Sequence, residues 1–433
     1  MVRTLWCAAA TSFVVAVVGP HWRSGFPPVY PDSHSYLAVA RRNPWSPRFW
    51  FDQRPPAYPL FVWLMRSSPP AIVVAQTVCW VLAWSWLLAT AWRLLTHRVV
   101  AGLAVAVLGL MAIESRWVFW NTQILTESLS GSLAVAGVAA WWRWLAEPGR
   151  FRTIVAVACT VAWMLVRDSN ALSLTAAAVP AAAIAALVLR RPERGGERRR
   201  GVARALAAIV AVGAVAVTAQ ALGNRNDASF HNNMGLRWLP SETMYDYFVG
   251  RGLPVSDALE QRLGKDAWAD GEAFLRAPEL DEYRAWVRSQ GRAWAAWSMV
   301  ARSGWYLDRL HGEIGRHIAD DFADYDSYEV ADHLPDRPLW RADPVGSGWA
   351  MTAWGAVAVA AACAALARGR RREVYFVGWL ALPVLADLYL SYAGDAVEVG
   401  RHLSGGLLRY GVVAVVGTAL LADSLLAPAA DDA

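Results

Sequence analysis

Five short stretches set charged or strongly polar side chains beside apolar runs. "PPVYPDSHSYLAVARR" places Asp32 and His34 just past a first hydrophobic run, and "FDQRPPAYPLFVWLMR" adds Arg54. "NTQILTESLSGSL" puts Thr126 and Glu127 near the start of an apolar helix. "LVRDSNALSL" puts Arg167, Asp168 and Asn170 at a turn between two apolar runs, and "YAGDAVEVGRHLSGG" places Asp395, Glu398, Arg401 and His402 just before the last one. A carboxylate near a hydroxyl can take its proton, and a guanidinium can grip two phosphate oxygens. An ionised group about one turn inside an apolar helix, as Glu127 is, is expensive and marks a functional candidate by default. Each group also has a plainer use, as a helix cap, a local ion pair or a snorkelling arginine.

The elements that position these residues follow from composition. The 433 residues are 56% hydrophobic with 25 Trp, and mean hydropathy is +0.26. The apolar residues come in long runs, for which a bilayer is the better solvent. The pattern predicts an all-α polytopic membrane protein with about ten spans. They run Thr4 to Pro20, Pro70 to Leu95, Val99 to Ile113, Gln123 to Leu145, Thr153 to Val166 and Ala171 to Leu189. Four more follow: Val202 to Leu222, Gly348 to Ala367, Val374 to Tyr392 and Gly405 to Ala427. Within the first loop, Tyr36, Leu37 and Ala40 share a helical face, with Ser33 or Asp32 able to cap it. Tyr58 to Met65 reads as a second short amphipathic helix after the break at Pro55 and Pro56.

Arginine placement sets the orientation. Arg93 and Arg98; Arg143, Arg150 and Arg152; the run from Arg190 to Arg204; and Arg368 to Arg372 all fall on one side of a ten-span layout. The opposite short loops carry only Arg116, Arg167 and Arg401. Both termini are therefore expected in the cytoplasm of a plasma-membrane protein. Residues 20–69 and 223–347 are expected outside, together with all five charged stretches. This divides the chain into a membrane module over 1–222, a mostly helical outer segment over 223–347 and a three-helix membrane part over 348–433. In the outer segment, Trp286, Trp294 and Trp297 suggest a helix lying on the membrane interface.

Other classes are disfavoured. The net charge of +5 comes almost wholly from arginine, with Lys265 the single lysine. These arginines cluster beside hydrophobic ends rather than on one face, so nucleic acid is not an expected partner. Cys7, Cys79, Cys159 and Cys363 all sit in apolar runs without ligand spacing. No His-x-x-x-His pattern appears. His34, two residues from Asp32, is the neighbour through which a divalent metal could be shared, but no obligatory cofactor is expected.

Four matches in order resemble the GT-C superfamily of integral-membrane glycosyltransferases, which use polyprenyl-phosphate sugars. They are "YPDSHSYL" after the first span, "QRPPAYPLFV" later in that loop, "ILTESL" opening the fourth span and "EVGRHL" opening the last. The resemblance covers the membrane framework and leaves 223–347 unmatched. It implies an inverting transferase moving a sugar from a polyprenyl-phosphate donor to a glycan, lipid or protein acceptor of the cell envelope. In that scheme Asp32 is the general base, and Arg401, His402 and Arg54 face the donor phosphate. Tyr36, Glu127, Arg167, Asp168 and His34 complete the pocket. Many members pair two acids where this chain has Asp32-Ser33, which argues against a bridging metal. Alternatives of other classes are a flippase or transporter of lipid-linked substrates, a non-catalytic envelope-assembly protein, and a polymer ligase. A transporter would place charges or Gly/Pro breaks near mid-span.

Overall fold

The computed structural model describes residues 11–19, 31–189, 196–222, 227–319 and 348–426. Every regular element among them is helical, with no strand. The principal helices are α1 (Pro31–Ala40), α2 (Ala57–Leu64), α3 (Pro69–Leu94), α4 (Arg98–Ile113), α5 (Thr126–Ala146), α6 (Arg150–Val166) and α7 (Asp168–Leu189). They continue with α8 (Gly196–Leu222), α9 (Asp227–Asn233), α10 (Arg292–Ala301), α11 (Ser303–Ala319), α12 (Gly348–Ala367), α13 (Arg371–Gly394) and α14 (Val399–Leu426).

Among the described residues, three helices, α3, α13 and α14, are long and apolar enough to cross a bilayer, and α4 with the bent turn after it forms a fourth candidate. Helices occupy the other apolar runs as well, with shorter apolar stretches at Leu206–Ala216 and Met351–Ala367. Part of the first apolar run, residues 11–19, is helical; Cys7 and the rest of that run lie outside the described residues, as do 320–347 of the outer segment. Cys79, Cys159 and Cys363 are free thiols.

Several boundaries differ from expectation, and three matter for the site. α5 begins at Thr126 rather than Gln123, so Glu127 is the second residue of the helix and not a full turn inside it. The last helix begins at Val399, so Arg401 and His402 sit in its first turn rather than before it. α7 begins at Asp168, so Arg167 alone joins α6 to α7. Opposite charges at these helix ends offset one another, and the apolar pattern could not locate the ends to a residue.

The bundle is built on α5 and α14. α5 packs on α3 and α6, and α14 packs on α4, α5, α12 and α13, while α7 bridges α8 and α13. Between apolar helices in lipid, close packing rather than exclusion of water drives association, so small residues sit at the contacts. At Gly406 a Cβ would come within 2.7 Å of Leu388 Cδ2 on α13, and at Gly131 within 3.0 Å of Leu408 Cδ2 on α14. Neither position has room for alanine without a shift.

Polar contacts fix the loops. Tyr58 on α2 donates to Gln76 Oε1 on α3 (2.7 Å), and Gln76 Nε2 donates to the carbonyls of Asn121 (3.0 Å) and Gln123 (2.8 Å). All these groups are buried. The chain entering α5 is thereby pinned to the first loop, which sets the position of Glu127. Tyr36, Ala40, Tyr58 and Val62 form a small apolar core with Ile72, Trp120, Leu125 and Val166. That core seats α1, and with it Asp32, on the end of the bundle. At the opposite end of α14, Asp423 accepts from the backbone N–H groups of Thr96 (3.0 Å) and His97 (2.7 Å), capping the start of α4.

Trp286 is buried and donates through Nε1 to the Arg251 carbonyl (3.1 Å), so the interfacial role expected of it is corrected. It anchors the inside of the outer segment. Trp297, eleven residues on, is the exposed one.

Candidate functional site

A cavity of about 320 Å³ lies where α5 and α14 begin and α6 and α13 finish. Asp32, Tyr36, Arg54, Glu127, Arg167, Asp168, Arg401 and His402 all line it. Segments far apart in sequence thus converge on one chamber. His34 does not line it and is exposed. On a helix, residues two apart point about 200° away from each other. With Asp32 facing in, His34 must face out, and its expected place in the pocket is corrected.

The charges form a connected lattice. Arg401 Nη1 donates to Asp32 Oδ2 at 2.9 Å, and Arg54 Nη2 pairs with Asp32 Oδ1. Arg54 Nε donates to Ser35 Oγ (2.7 Å), which donates to the Asp32 carbonyl (2.6 Å). The Arg54 guanidinium also lies 4.8 Å from the centre of the Tyr36 ring, a cation–π distance. Arg401 Nη2 pairs with Glu398 at 2.8 Å, and its Nε stands 3.7 Å from Glu127 Oε1. Arg167 Nη1 is 3.6 Å from that same oxygen. Glu127 is therefore a shared strut between two arginines. Glu398 holds its position with φ of +53°, a left-handed conformation few non-glycine residues adopt.

His402 extends the lattice. Arg167 Nη2 contacts His402 Nδ1 at 3.2 Å. A guanidinium only donates, so Nδ1 accepts and the neutral ring carries its proton on Nε2. That nitrogen stands 4.0 Å from Asp395 Oδ2. Asp395 is itself held by Ser229 Oγ (2.6 Å), Asn232 Nδ2 (3.0 Å) and the Val397 N–H (3.0 Å).

Burial alone would raise the Asp32 carboxyl, but Arg401 and Arg54 outweigh it and hold it well below the usual carboxylate range. Burial would lower Arg54, yet Tyr36 and Asp32 beside it raise it instead. Burial raises the Tyr36 phenol. In this arrangement Asp32 is fully ionised and a weak base, and both guanidiniums are charged.

No protein-family model, curated protein or solved structure matches this chain. The chemistry of the site therefore rests on its own geometry. Among the described residues, no group of three or more His, Cys, Asp or Glu is arranged to hold a metal ion. Four arginines line the chamber, Arg54, Arg167, Arg292 and Arg401, and together they suit an anion with several oxygens, such as a phosphate.

The far wall was not anticipated from sequence. Ser229, Phe230, Asn233, Trp238 and Arg292 come from the outer segment, and Ser391 from the end of α13. Asn233 Nδ2 donates to the Gly394 carbonyl (2.8 Å), and Arg237 donates to the Tyr392 carbonyl, tying the outer segment to α13. The polar run "NDASFHNN" was the available signal. A second charge pair was also missed, Asp387 on α13 with Arg409 on α14. Opposite charges inside two apolar runs are a signal in themselves.

A second groove of about 290 Å³ shares Pro55 and Asp168 with the chamber wall. Its other walls are apolar, including Trp50, Phe51, Met164, Val212 and Val215.

Proposed function

We propose that this chain is a GT-C-like, ten-span membrane glycosyltransferase that moves a sugar from a polyprenyl-phosphate donor to an extracytoplasmic hydroxyl acceptor. The observation that carries the reading is the direct contact of Asp32 with Arg401 in one chamber. The adjoining apolar groove supports it, because a lipid phosphate needs a charged seat beside an oily one.

The acceptor oxygen attacks the anomeric carbon, and the bond from that carbon to the phosphate oxygen breaks. The electron pair leaves with the phosphate, where Arg401 and Arg54 stabilise the growing charge. The acceptor proton passes to Asp32. One base opposite the leaving group gives inversion at the sugar, by analogy with inverting glycoside chemistry. His402, with its proton on Nε2, and Arg167 supply further donors to the phosphate. Glu127 and Glu398 keep Arg401 aimed.

Asp32 is a poor base while two guanidiniums hold it. A donor phosphate competes for those same guanidiniums. Binding of the donor thus loosens their grip on Asp32 and raises its proton affinity when an acceptor is present. Donor binding and base activation become one event. Without donor, the base is masked.

A flippase for lipid-linked substrates is the second reading, favoured by the Asp387–Arg409 pair and by Pro383 inside α13. Lipid-linked sugar profiling in a strain lacking the protein separates the two. A transferase leaves its donor unspent and one envelope sugar missing from its acceptor. A flippase leaves unconsumed carrier on the cytoplasmic leaflet.

A further inference from the structure

α10 and α11 carry an exposed stripe without a single charge. Ala293, Trp297, Val300, Gly304 and Leu307 recur every three or four residues across the break at Arg302, and all five are exposed. Trp297, Val300 and Leu307 are each more than half exposed. Nearby charges turn elsewhere: the Arg302 guanidinium lies 5.4 Å from the Tyr247 ring centre, and that of Arg309 lies 4.9 Å from Trp305. On another side of α10, Ala295 and Met299 line the chamber. The same helix is thus a chamber wall and an uncovered apolar face.

Contacts with α13 fix the depth of this face. The Tyr389 hydroxyl donates to the Met299 carbonyl, and the Tyr389 ring lies 6.1 Å from that of Tyr306. Tyr392 donates to Glu313 Oε2 at 2.8 Å. α13 has 24 residues, about 36 Å of helix against about 30 Å of hydrocarbon. Centred in a bilayer, it emerges by about 3 Å on each side, and Tyr389, near the Gly394 end, sits about 4 Å inside the hydrocarbon boundary. Side chains lean toward a helix's N-terminus, so the Met299 carbonyl lies no further out than that. Leu385, one turn deeper on the same side of α13, is more than half exposed and meets lipid. From Tyr306 to Glu313, α11 advances about 10 Å while its partners on α13 advance about 4 Å. α11 therefore runs more along the bilayer surface than across it.

We infer that α10 and the first turns of α11 lie in the bilayer surface at the Gly394 end of α13, with Ala293, Trp297, Val300 and Leu307 against phospholipid acyl chains. The partner is the lipid surface, because the stripe continues the lipid-facing side of α13 at the level of the hydrocarbon boundary. A helix pair with one apolar and one polar side is stable there, and Trp favours that boundary. The chamber wall made by α10 then has lipid behind it. This placement does not depend on sugar transfer at the chamber.

The test uses the unaltered full-length protein in phosphatidylcholine vesicles that contain a phosphatidylcholine with a photoreactive diazirine in its acyl chain. After illumination and trypsin, lipid adducts are mapped by mass spectrometry. Cleavage after arginine isolates residues 293–302 and 303–309, and residues 373–401 carry Leu385 as the internal reference for lipid contact. Adducts are expected on 293–302, at Trp297 or Val300, and on 303–309, at Leu307, with yields comparable to that on 373–401. Adducts on 373–401 and none on 293–302 overturn the proposal; oxidation of Trp297 by hydroxyl radicals made in the aqueous phase would then place the stripe in water. Protection from both reagents overturns it as well, and a dimer by light scattering would then assign the stripe to a second copy of the chain. Absence of adducts on 373–401 removes α13 from the bilayer and the proposal with it.

Discussion

Arg401 reaches across 369 residues of sequence to donate to Asp32 at 2.9 Å. The contact joins the first turn of α14 to the first turn of α1. Neither partner is free to move alone, because Glu398 and Glu127 flank the arginine and Arg54 holds the other carboxylate oxygen.

Replacing Arg401 tests whether planar, bidentate recognition matters. Arg401→Lys keeps a charge but loses the fork, so transfer from a polyprenyl-phosphate sugar should fall about 100-fold or more. The lysine still offers Asp32 a counter-charge, and the protein should remain folded by size-exclusion and thermal melting. Wild-type turnover by this variant would remove Arg401 from the phosphate site.

The masked base has a pH signature. In the free protein the Asp32 carboxyl is held well below the usual range, mainly by Arg401 and Arg54 against the effect of burial. kcat/KM reports the free protein, and kcat the substrate complex. The acid limb of kcat/KM should therefore lie below the ordinary carboxylate range. The acid limb of kcat should lie at higher pH, because the donor phosphate draws the arginines away. Coincident limbs would contradict the coupling of donor binding to base activation.

The outer segment has its own titration. His231 is buried, bonded to the Tyr283 hydroxyl at 2.7 Å, and lowered to about 4, first by burial and then by Arg292 and Arg284. A depressed histidine leaves the unfolded state binding more protons as pH falls through 6.5, so stability is lost from there down to about 4 and is constant below. The shift corresponds to about 3 kcal/mol. Unfolding monitored in the outer segment should show that slope in the wild type and not in His231→Gln.

The all-helical class was legible in the sequence, because long apolar runs bounded by Arg, Pro and Gly favour helices over strands. Lone charges beside such runs identified Asp32, Arg54, Glu127, Arg167 and Arg401. Facing direction was harder to read. His34 differs from Asp32 by about 200° of helix rotation, and sequence spacing without a known inward face cannot choose between them. Ser229 lies in a short helix, Trp238 ends a π-helical turn (Met234–Trp238) and Arg292 follows another (Val287–Gly291), where a 3.6-residue period is lost and sequence spacing cannot say which neighbour a side chain meets. Asp387 and Arg409 were diluted by the apolar residues around them. Their meaning depends on α13 and α14 packing together.

That packing makes Gly406 a sensitive position. Its Cβ would stand 2.7 Å from Leu388 Cδ2 and 3.0 Å from Asp387 Oδ2. Gly406→Val should destabilise the bundle by about 1–3 kcal/mol through overpacking. Gly102→Ala, where a Cβ meets nothing within 4 Å, should be harmless in the same melting experiment. Equal melting temperatures for the two variants would mean that α13 and α14 are not in contact there.

The most direct measurement is sugar transfer by Asp32→Asn in proteoliposomes supplied with a polyprenyl-phosphate sugar and envelope acceptor. The variant keeps the shape of the side chain and loses the base. It should insert and fold, retain donor binding, and transfer at the uncatalysed background. Transfer at the wild-type rate would contradict the central claim that Asp32 takes the acceptor proton.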